Sequence, residues 1–161
     1  MRNKILALLE RNARLTSEEI SVLLGMSEAE VSAEITEMEK EQIICGYSAL
    51  INWDKTDSDF LTALIEVKVA PARGQGFNRI AERIYKFDEV KSVYLMSGGY
   101  DLAVIVEGKS LREVAGFVSD KLSPMESVLS TATHFVLKKF KDHGVVFGDV
   151  SDEDGRMVVS P

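Results

Sequence analysis

Apolar residues in the first third of the chain recur every three or four positions, which is the spacing of helices with one buried face. Three segments show this spacing, and their apolar residues are Ile5, Leu8 and Leu9, then Ile20, Leu23 and Leu24, then Val31, Ile35 and Met38. Thr16 and Ser27 supply hydroxyl caps for the second and third helices, and Glu30 completes a capping box with Ser27. Gly25 ends the second helix, since glycine readily takes the left-handed conformation. The pattern predicts a helix-turn-helix, an arrangement that also occurs as a plain helical packing unit.

The remainder of the chain alternates between strand and helix patterns. Residues 43–51 read as a first strand, and polar residues 52–59 read as a hinge. The segments that follow are strands at 60–70, 90–96, 100–107 and 128–138, with helices at 77–87 and 110–118. This β-α-β-β-α-β order predicts a ferredoxin-like fold, a four-stranded antiparallel sheet with two helices on one face. Apolar residues fall on both faces of the predicted sheet, which favours association with another surface.

The charge and cysteine content narrow the functional classes. The 161 residues carry a formal net charge of −7, which argues against a uniformly basic nucleic-acid coat protein. The single cysteine, Cys45, forms no internal disulfide and falls short of a cysteine-based zinc site. The sequence shows neither a signal peptide nor an apolar run long enough to span a membrane. We therefore expect a cytoplasmic protein that takes no membrane partner, no metal and no cofactor.

Short motifs in a fixed order carry a family resemblance. They are Leu-Leu-Gly-Met-Ser at 23–27, Ile-Ile-Cys-Gly-Tyr at 43–47, Ser-Gly-Gly-Tyr-Asp-Leu at 97–102 and Thr-Ala-Thr at 131–133. With these motifs in this order, residues 2–140 resemble the Lrp/AsnC family of bacterial and archaeal transcription regulators. The resemblance implies an α+β protein with a winged-type helix-turn-helix domain followed by a ferredoxin-like βαββαβ domain.

The resemblance also implies a division of labour along the chain. Residues 1–56 are expected to bind operator DNA, and residues 57–140 to bind an effector and form oligomers. Residues 141–161 form a C-terminal tail that either adds an edge strand or lacks order. The effector is expected to be an amino acid or a related small molecule at interfaces between copies. Homodimers would assemble further into tetramers or octamers.

The third helix departs from the family, whose recognition helix usually carries several arginines. Residues 28–41 contain six glutamates and one lysine, and residues 1–56 have a net charge of −4. Two interpretations are open. In one, the protein binds DNA through Ser27, Glu28, Ser32, Ala33 and Thr36 of the third helix, which face the major groove, while Arg2, Lys4 and Arg14 of the first helix and the following loop hold the DNA backbone. In this interpretation Arg11 also holds the DNA backbone, and Glu28 or Glu34 accepts from cytosine. In the other, the protein senses an amino acid as an oligomer and has lost DNA binding, since carboxylates oppose phosphate contact.

A glycine-containing turn is the candidate effector site. The residues concerned are Ser97, Gly98, Gly99, Tyr100, Asp101, Thr133 and His134. The glycines would serve a tight hairpin by taking positive φ, and would also leave backbone amides open to a ligand carboxylate. Asp101 either pairs with the α-ammonium group of a ligand or hydrogen-bonds the turn. Thr133 and His134 either line the same pocket or face solvent on an alternating strand.

Catalysis is the alternative from a different functional class. A covalent enzyme needs a nucleophile with a base close by, and Cys45 has no histidine near it in the sequence. The two histidines, His134 and His143, have no spacing that enforces a metal site. We therefore predict that the protein is not an enzyme.

Overall fold

A computed structural model describes residues 1–70 and 76–147. Contacts divide the chain into two compact units, of which the first is Met1–Ile51 and the second begins at Asn52. Each unit is described by itself below. The boundaries between the predicted functional regions, at residues 56 and 140, stay a prediction.

The first unit contains three helices around one small core. They are α1 (Arg2–Arg11), α2 (Ser17–Leu24) and α3 (Glu28–Lys40). Their apolar faces meet in a core of five buried side chains, which are Ile5, Leu9, Ile20, Val31 and Met38. The helical spacing is therefore confirmed, since each helix contributes residues from its predicted apolar face. The prediction is wrong for Leu23, which is 60% exposed, because α2 packs against the core through Ile20 and the partly buried Leu24, and Leu23 lies to the side of that contact.

Polar groups at the helix ends confirm the predicted turn. Thr16 caps α2 and Ser27 caps α3, and in each case the glutamate three residues later completes a capping box. Gly25 follows α2 with φ of 66°, in the left-handed region where a side chain would be strained. These caps satisfy amide groups at the helix starts that have no partner within the helix. The α2-turn-α3 geometry is thus fixed by local chemistry.

The strand predicted over residues 43–51 is wrong for this structure. The backbone amides of Ile43 and Ile44 both donate to the carbonyl oxygen of Met38, at 2.8 and 3.1 Å, and so complete the end of α3. Beyond them the chain is irregular as far as Asn52. A strand needs a neighbour to accept its hydrogen bonds, and neither sheet of the described residues includes this segment.

The second unit contains a four-stranded antiparallel sheet. Its strands are β1 (Leu61–Val69), β2 (Val90–Leu95), β3 (Leu102–Gly108) and β4 (Val128–Phe135), in the spatial order β2-β3-β1-β4. The helices are α4 (Asn78–Ile84) and α5 (Leu111–Phe117), and one π-helical turn, Val118–Leu122, continues α5. The order of elements and the pairing confirm the predicted ferredoxin-like fold.

The two faces of this sheet differ in burial. Ile65 on β1 pairs with Val104 on β3 and with Thr133 on β4, on the face that packs against α4 and α5. Leu64 pairs with Ile105 and His134 on the other face, where all three side chains keep some exposure to solvent. We call this second surface the open face. Apolar residues on both faces are thus confirmed.

A short hairpin follows the sheet. Its strands are β5 (Lys141–Asp142) and β6 (Val145–Val146), joined by a turn in which His143 and Gly144 both have positive φ. Residues 148–161 of the predicted tail lie outside the described part of the chain. Within the parts that are described, none of the helices has the length and apolar character needed to cross a membrane.

Candidate functional site

In a helix-turn-helix domain the second helix of the motif, here α3, is the one that enters a DNA groove. Its exposed side is therefore the surface of interest in the first unit. Val31 and Met38 are buried on the inner side of α3, which packs against the core. On the opposite side Ala29, Ala33, Thr36 and Lys40 are exposed at intervals of three or four residues, so they share one face, with Ser32 beside them. We call these five residues the outer face of α3. Lys40 is the one charged residue among these five, and the exposed Glu37 borders them on the side away from Ser32.

The glutamates of this region have partners within the protein, beginning with Glu30. Its Oε2 accepts hydrogen bonds from the backbone amide of Ser27 at 3.0 Å and from the Ser27 hydroxyl at 2.7 Å. These hydrogen bonds, that from the hydroxyl first, lower the pKa of Glu30 below its ordinary value. Glu30 therefore serves to start α3.

Arg2 joins α1 to α3 through two more carboxylates. Its Nε lies 2.8 Å from Oε2 of Glu34, and its Nη1 lies 2.6 Å from Oε2 of Glu41. The hydrogen bonds to Glu41 and then to Glu34 raise the pKa of Arg2 above its ordinary value. The structure thus places Arg2, a predicted DNA contact, in an intramolecular clamp. Charge-assisted hydrogen bonds of this kind are stronger than neutral ones and favour one orientation of α3 relative to α1.

Two further glutamates have neighbours on the same unit. The hydroxyl of Tyr47 donates to Oε1 of Glu39 at 2.9 Å, and burial, followed by this contact, raises the pKa of Tyr47. Oε2 of Glu37 lies 3.6 Å from Nζ of Lys40. Five of the six glutamates between residues 28 and 41 therefore have a partner within the first unit. The sixth, Glu28, lies in the first turn of α3, where the helix dipole favours a carboxylate.

The remaining predicted DNA contacts lie at the surface. Ser27, Glu28, Ser32, Ala33 and Thr36 are exposed along α3 and at its start. Lys4 is exposed on α1, and Arg14 is exposed in the loop that leads to α2. Sequence reasoning missed the Arg2 clamp because Glu34 and Glu41 are 32 and 39 residues away, and no local pattern signals such a contact.

In the second unit Asp101 anchors the predicted effector turn to β1. Its Oδ2 accepts from the backbone amide of Val69 at 2.9 Å, and its own amide donates to the carbonyl oxygen of Val67 at 3.1 Å. The Asp101 carbonyl oxygen accepts from the amide of Met96 at 2.8 Å. Of the two roles considered for Asp101, hydrogen bonding that holds the turn is therefore observed.

The glycines of this turn do not take the expected conformation. Positive φ is found at Gly25, Gly76 and Gly144 among the described glycines, and thus at neither Gly98 nor Gly99. The reason is the length of the connection, since β2 and β3 pair up to Leu95 and Leu102, and the loop between them is longer than a two-residue hairpin turn. A Cβ added at Gly98 or Gly99 would meet no atom within 4 Å. The turn therefore has open space beside both glycines. Its backbone conformation does not require glycine at either position, since neither has positive φ.

Thr133 and His134 lie on opposite faces of the sheet. Thr133 is opposite Ile65 on the helix-packed face, whereas His134 is opposite Leu64 on the open face. Nε2 of His134 lies 3.3 Å from Oε1 of Glu66, a neighbour on the same face. The structure therefore does not bring these two predicted effector residues to one surface.

Metal-binding and nucleophilic groups are sparse in the described parts. Residues 1–70 and 76–147 hold no group of three or more His, Cys, Asp or Glu side chains arranged for a metal ion. Cys45 is exposed, and its Sγ lies 3.1 Å from the carbonyl oxygen of Gln42.

Two family models match the chain, one in each unit. Residues 2–44 match the winged helix-turn-helix DNA-binding domain, and residues 62–146 match the Lrp/AsnC ligand binding domain. The HTH-type transcriptional regulator YugG of Bacillus subtilis (strain 168) is 53% identical over 159 residues, which are 98% of this chain and 95% of that protein. The HTH-type transcriptional regulator LrpA of Pyrococcus abyssi is 27% identical over 85% of this chain and 94% of its own.

Solved structures agree with these matches. A transcriptional regulator of Neisseria meningitidis, NMB0573, determined as a complex with L-Met, superposes with a TM-score of 0.71 and 27% identity. The aligned region covers 88% of this chain and 90% of that one. The structure of AsnC from E. coli gives a TM-score of 0.65 at 22% identity, over 86% and 91% of the two chains, and so shows the same fold.

Proposed function

Because the chain belongs to the Lrp/AsnC family of DNA-binding transcriptional regulators, we propose that an amino acid or related small molecule sets its DNA affinity or its assembly. The observation that carries this proposal is the match of both units, in order, to a DNA-binding domain and to the family's ligand binding domain. Regulation of transcription needs no catalytic group, and access to operator DNA is consistent with a place in the cytoplasm.

The proposed DNA interface consists of the outer face and start of α3 with nearby cations. Ser27, Glu28, Ser32, Ala33 and Thr36 would face the major groove, the groove in which base pairs are fully distinguishable. Lys4 and Arg14 would contact phosphates, which fix register without carrying sequence information. Arg2 would position α3 through Glu34 and Glu41 instead of contacting DNA directly. Five of the six glutamates of this region have partners within the first unit, which gives them a structural role. The acidic composition of α3 is therefore no argument that the domain has lost DNA binding, and this supports the proposed interface.

DNA binding is tested by fluorescence anisotropy on a duplex from the protein's own upstream region, over a series of salt concentrations. We expect affinity to fall as salt rises, because cation contacts release counterions from phosphates. Arg14→Ala should weaken binding and flatten the salt dependence. Lys86→Ala, an exposed cation of the second unit, is the matched control and should change neither. Absence of salt-sensitive binding at the lowest salt would refute the proposal.

The proposed effector site is the turn from Ser97 to Asp101. Backbone amides at Gly98 and Gly99 would bind the carboxylate of an amino acid, because the space beside both glycines is open. The side chains of Ser97 and Tyr100 and the carboxylate of Asp101 would complete the site. The L-Met complex of the Neisseria meningitidis regulator supports an amino acid as the ligand class. Thr133 and His134 would contribute from different surfaces, if copies of the chain meet there.

A thermal-shift screen across the amino acids, L-Met included, tests this site. A ligand that binds the folded protein alone raises the melting temperature with its concentration. Gly99→Val should abolish the shift and leave the ligand-free melting temperature close to that of the unmodified protein, because a Cβ at this position meets no atom within 4 Å and φ is not positive there. Gly116→Val, on α5 in the same unit, is the control at a distance from the turn. A full shift retained in Gly99→Val would exclude the turn as the site.

The open face supports a proposed homodimer that assembles further into tetramers or octamers. Leu64 and Ile105 are paired neighbours on this face, and Val136 follows β4 with its amide bonded to the Thr62 carbonyl oxygen at 2.9 Å. Association of two such faces would bury apolar side chains that are partly exposed in a single copy.

A further inference from the structure

We infer that α3 distinguishes operator sequences by contacting the C5-methyl groups of thymine, and does not read guanine edges with charged side chains. The inference rests on the proposed function, because it concerns how the proposed DNA interface recognises bases. It follows from which groups of α3 are engaged within the protein and which are exposed.

The groups that usually read guanine are scarce on this helix. Guanine offers the acceptors O6 and N7, and the commonest specific contact to them is a bidentate arginine or a lysine. The sequence has no arginine between Arg14 and Arg73, and Arg2 is held by Glu34 and Glu41. Lys40, at the last position of α3, lies 3.6 Å from Glu37.

The exposed groups of the outer face are mainly methyl groups and hydroxyls. Ala29 and Ala33 each present a methyl group. The hydroxyl of Thr36 donates to the carbonyl oxygen of Ser32 at 2.9 Å, so its hydrogen is engaged within the helix and its methyl group is not. The Ser27 hydroxyl is likewise bonded to Glu30. Contact of Ala or Thr methyl groups with the thymine methyl is a recognised form of base readout.

The small size of these side chains adds a geometric reason. The major groove admits an α-helix, and short side chains let its backbone approach the base edges closely. Carboxylates that hold Arg2 and Tyr47 lie to the sides of the outer face, where contacts within the protein orient them. A helix of this kind fits a half-site that presents thymine methyl groups along the groove floor.

The test begins with duplexes selected by the full-length protein from a randomised library. The thymines of a selected half-site are then replaced singly by uracil, which removes the methyl group and keeps every hydrogen-bonding group. We expect affinity to fall about fourfold at each contacted position, the value for one buried methyl group. Replacing guanines by 7-deazaguanine should leave affinity unchanged.

Two substitutions of Thr36 separate its methyl group from its hydroxyl. Thr36→Ser keeps the hydroxyl and should remove the penalty of uracil at one position. Thr36→Val keeps a methyl group at the same place and should retain that penalty. Thermal unfolding of both variants shows whether the fold is preserved. Sensitivity to 7-deazaguanine with none to uracil, or identical behaviour of the two variants, would overturn the inference. Failure to select any sequence would instead refute the proposed DNA-binding function itself, and the inference with it.

Discussion

Glu89 and Lys121 form an ion pair at the side of the core of the second unit. Nζ of Lys121 contacts Oε1 of Glu89 and lies 5.4 Å from the centre of the Phe87 ring and 5.9 Å from that of Phe117. The hydrogen bond from Lys121, followed by a backbone hydrogen bond, lowers the pKa of Glu89 below its ordinary value of 4.5. This pair ties the loop before β2 to the π-helical turn after α5.

The stability contributed by this pair should depend on pH. Because the folded-state pKa is lowered, the contribution is fully present above the ordinary value of 4.5 and is lost as pH falls through the folded-state value. Glu89→Gln should therefore reduce stability by roughly 0.5–1 kcal/mol at neutral pH. Its melting temperature should converge with that of the unmodified protein in acid. Glu82→Gln, an exposed glutamate on α4, is the control. A gap between Glu89→Gln and the unmodified protein that persists at low pH would contradict this assignment.

For individual residues, the sequence does not predict side-chain contacts between positions that are far apart in the chain. Periodicity located many of the apolar residues of both cores, but it placed the exposed Leu23 on a buried face and missed the buried Leu122 and Met125. It also gave no sign that Arg2 meets Glu34 and Glu41. The opposite facing of Thr133 and His134 could have been anticipated, since neighbouring residues of a strand face opposite sides.

At the scale of elements, α3 depends on its cap for both its start and its position. Ser27 accepts from the amide of Glu30 at 3.3 Å, while the Glu30 side chain bonds back to Ser27. Such a reciprocal pair gives the helix a defined first residue. The burial of Val31 and Met38 then sets which side chains form the outer face.

Removal of this cap should destabilise the first unit. Ser27→Ala should reduce its stability by about 1 kcal/mol, the usual value for a lost helix cap. Ser32→Ala is a matched control, because it removes a hydroxyl from the exposed middle of the same helix, where alanine is the better helix former. Circular dichroism during heating measures both variants. Equal melting temperatures for the two would show that the capping box contributes little.

The elements themselves could be predicted where their signals are local. Capping residues and alternating apolar positions placed the helices and the four strands close to their observed limits. The segment 43–51 could not be predicted correctly, because its apolar character favours a strand while its pairing depends on a neighbour outside its own sequence. The same holds for the turn after β2, whose length decides whether glycine needs positive φ.

At the scale of the whole molecule, the open face of the sheet carries apolar side chains that are partly exposed to solvent. Its strands alternate between buried and partly exposed residues, and the partly exposed set includes apolar side chains at paired positions of β1 and β3. An antiparallel sheet tolerates one face toward water when that face is polar. The open face is only partly polar, and we therefore propose that copies of the chain associate through it.

A charge in the middle of this face should prevent association. Leu64→Glu should lower the mass measured by light scattering relative to the unmodified protein, because association would take a charged carboxylate out of water where a leucine was buried before. Leu111→Glu, at an exposed position that begins α5 on the helix side of the sheet, should leave the mass unchanged. Equal masses for both variants and the unmodified protein would place the contact between copies elsewhere.

The position of the one tryptophan has a spectroscopic consequence. Trp53 stacks on Phe60 with ring centres 4.7 Å apart, and both lie in the second unit, whereas Met1–Ile51 contains no tryptophan. Tryptophan emission during heating, excited selectively so that Tyr47 of the first unit does not contribute, therefore follows the second unit alone. Helical circular dichroism also follows α1, α2 and α3. Coincident curves from the two optical probes would indicate one cooperative transition. Separated curves would give each unit its own melting temperature without any label.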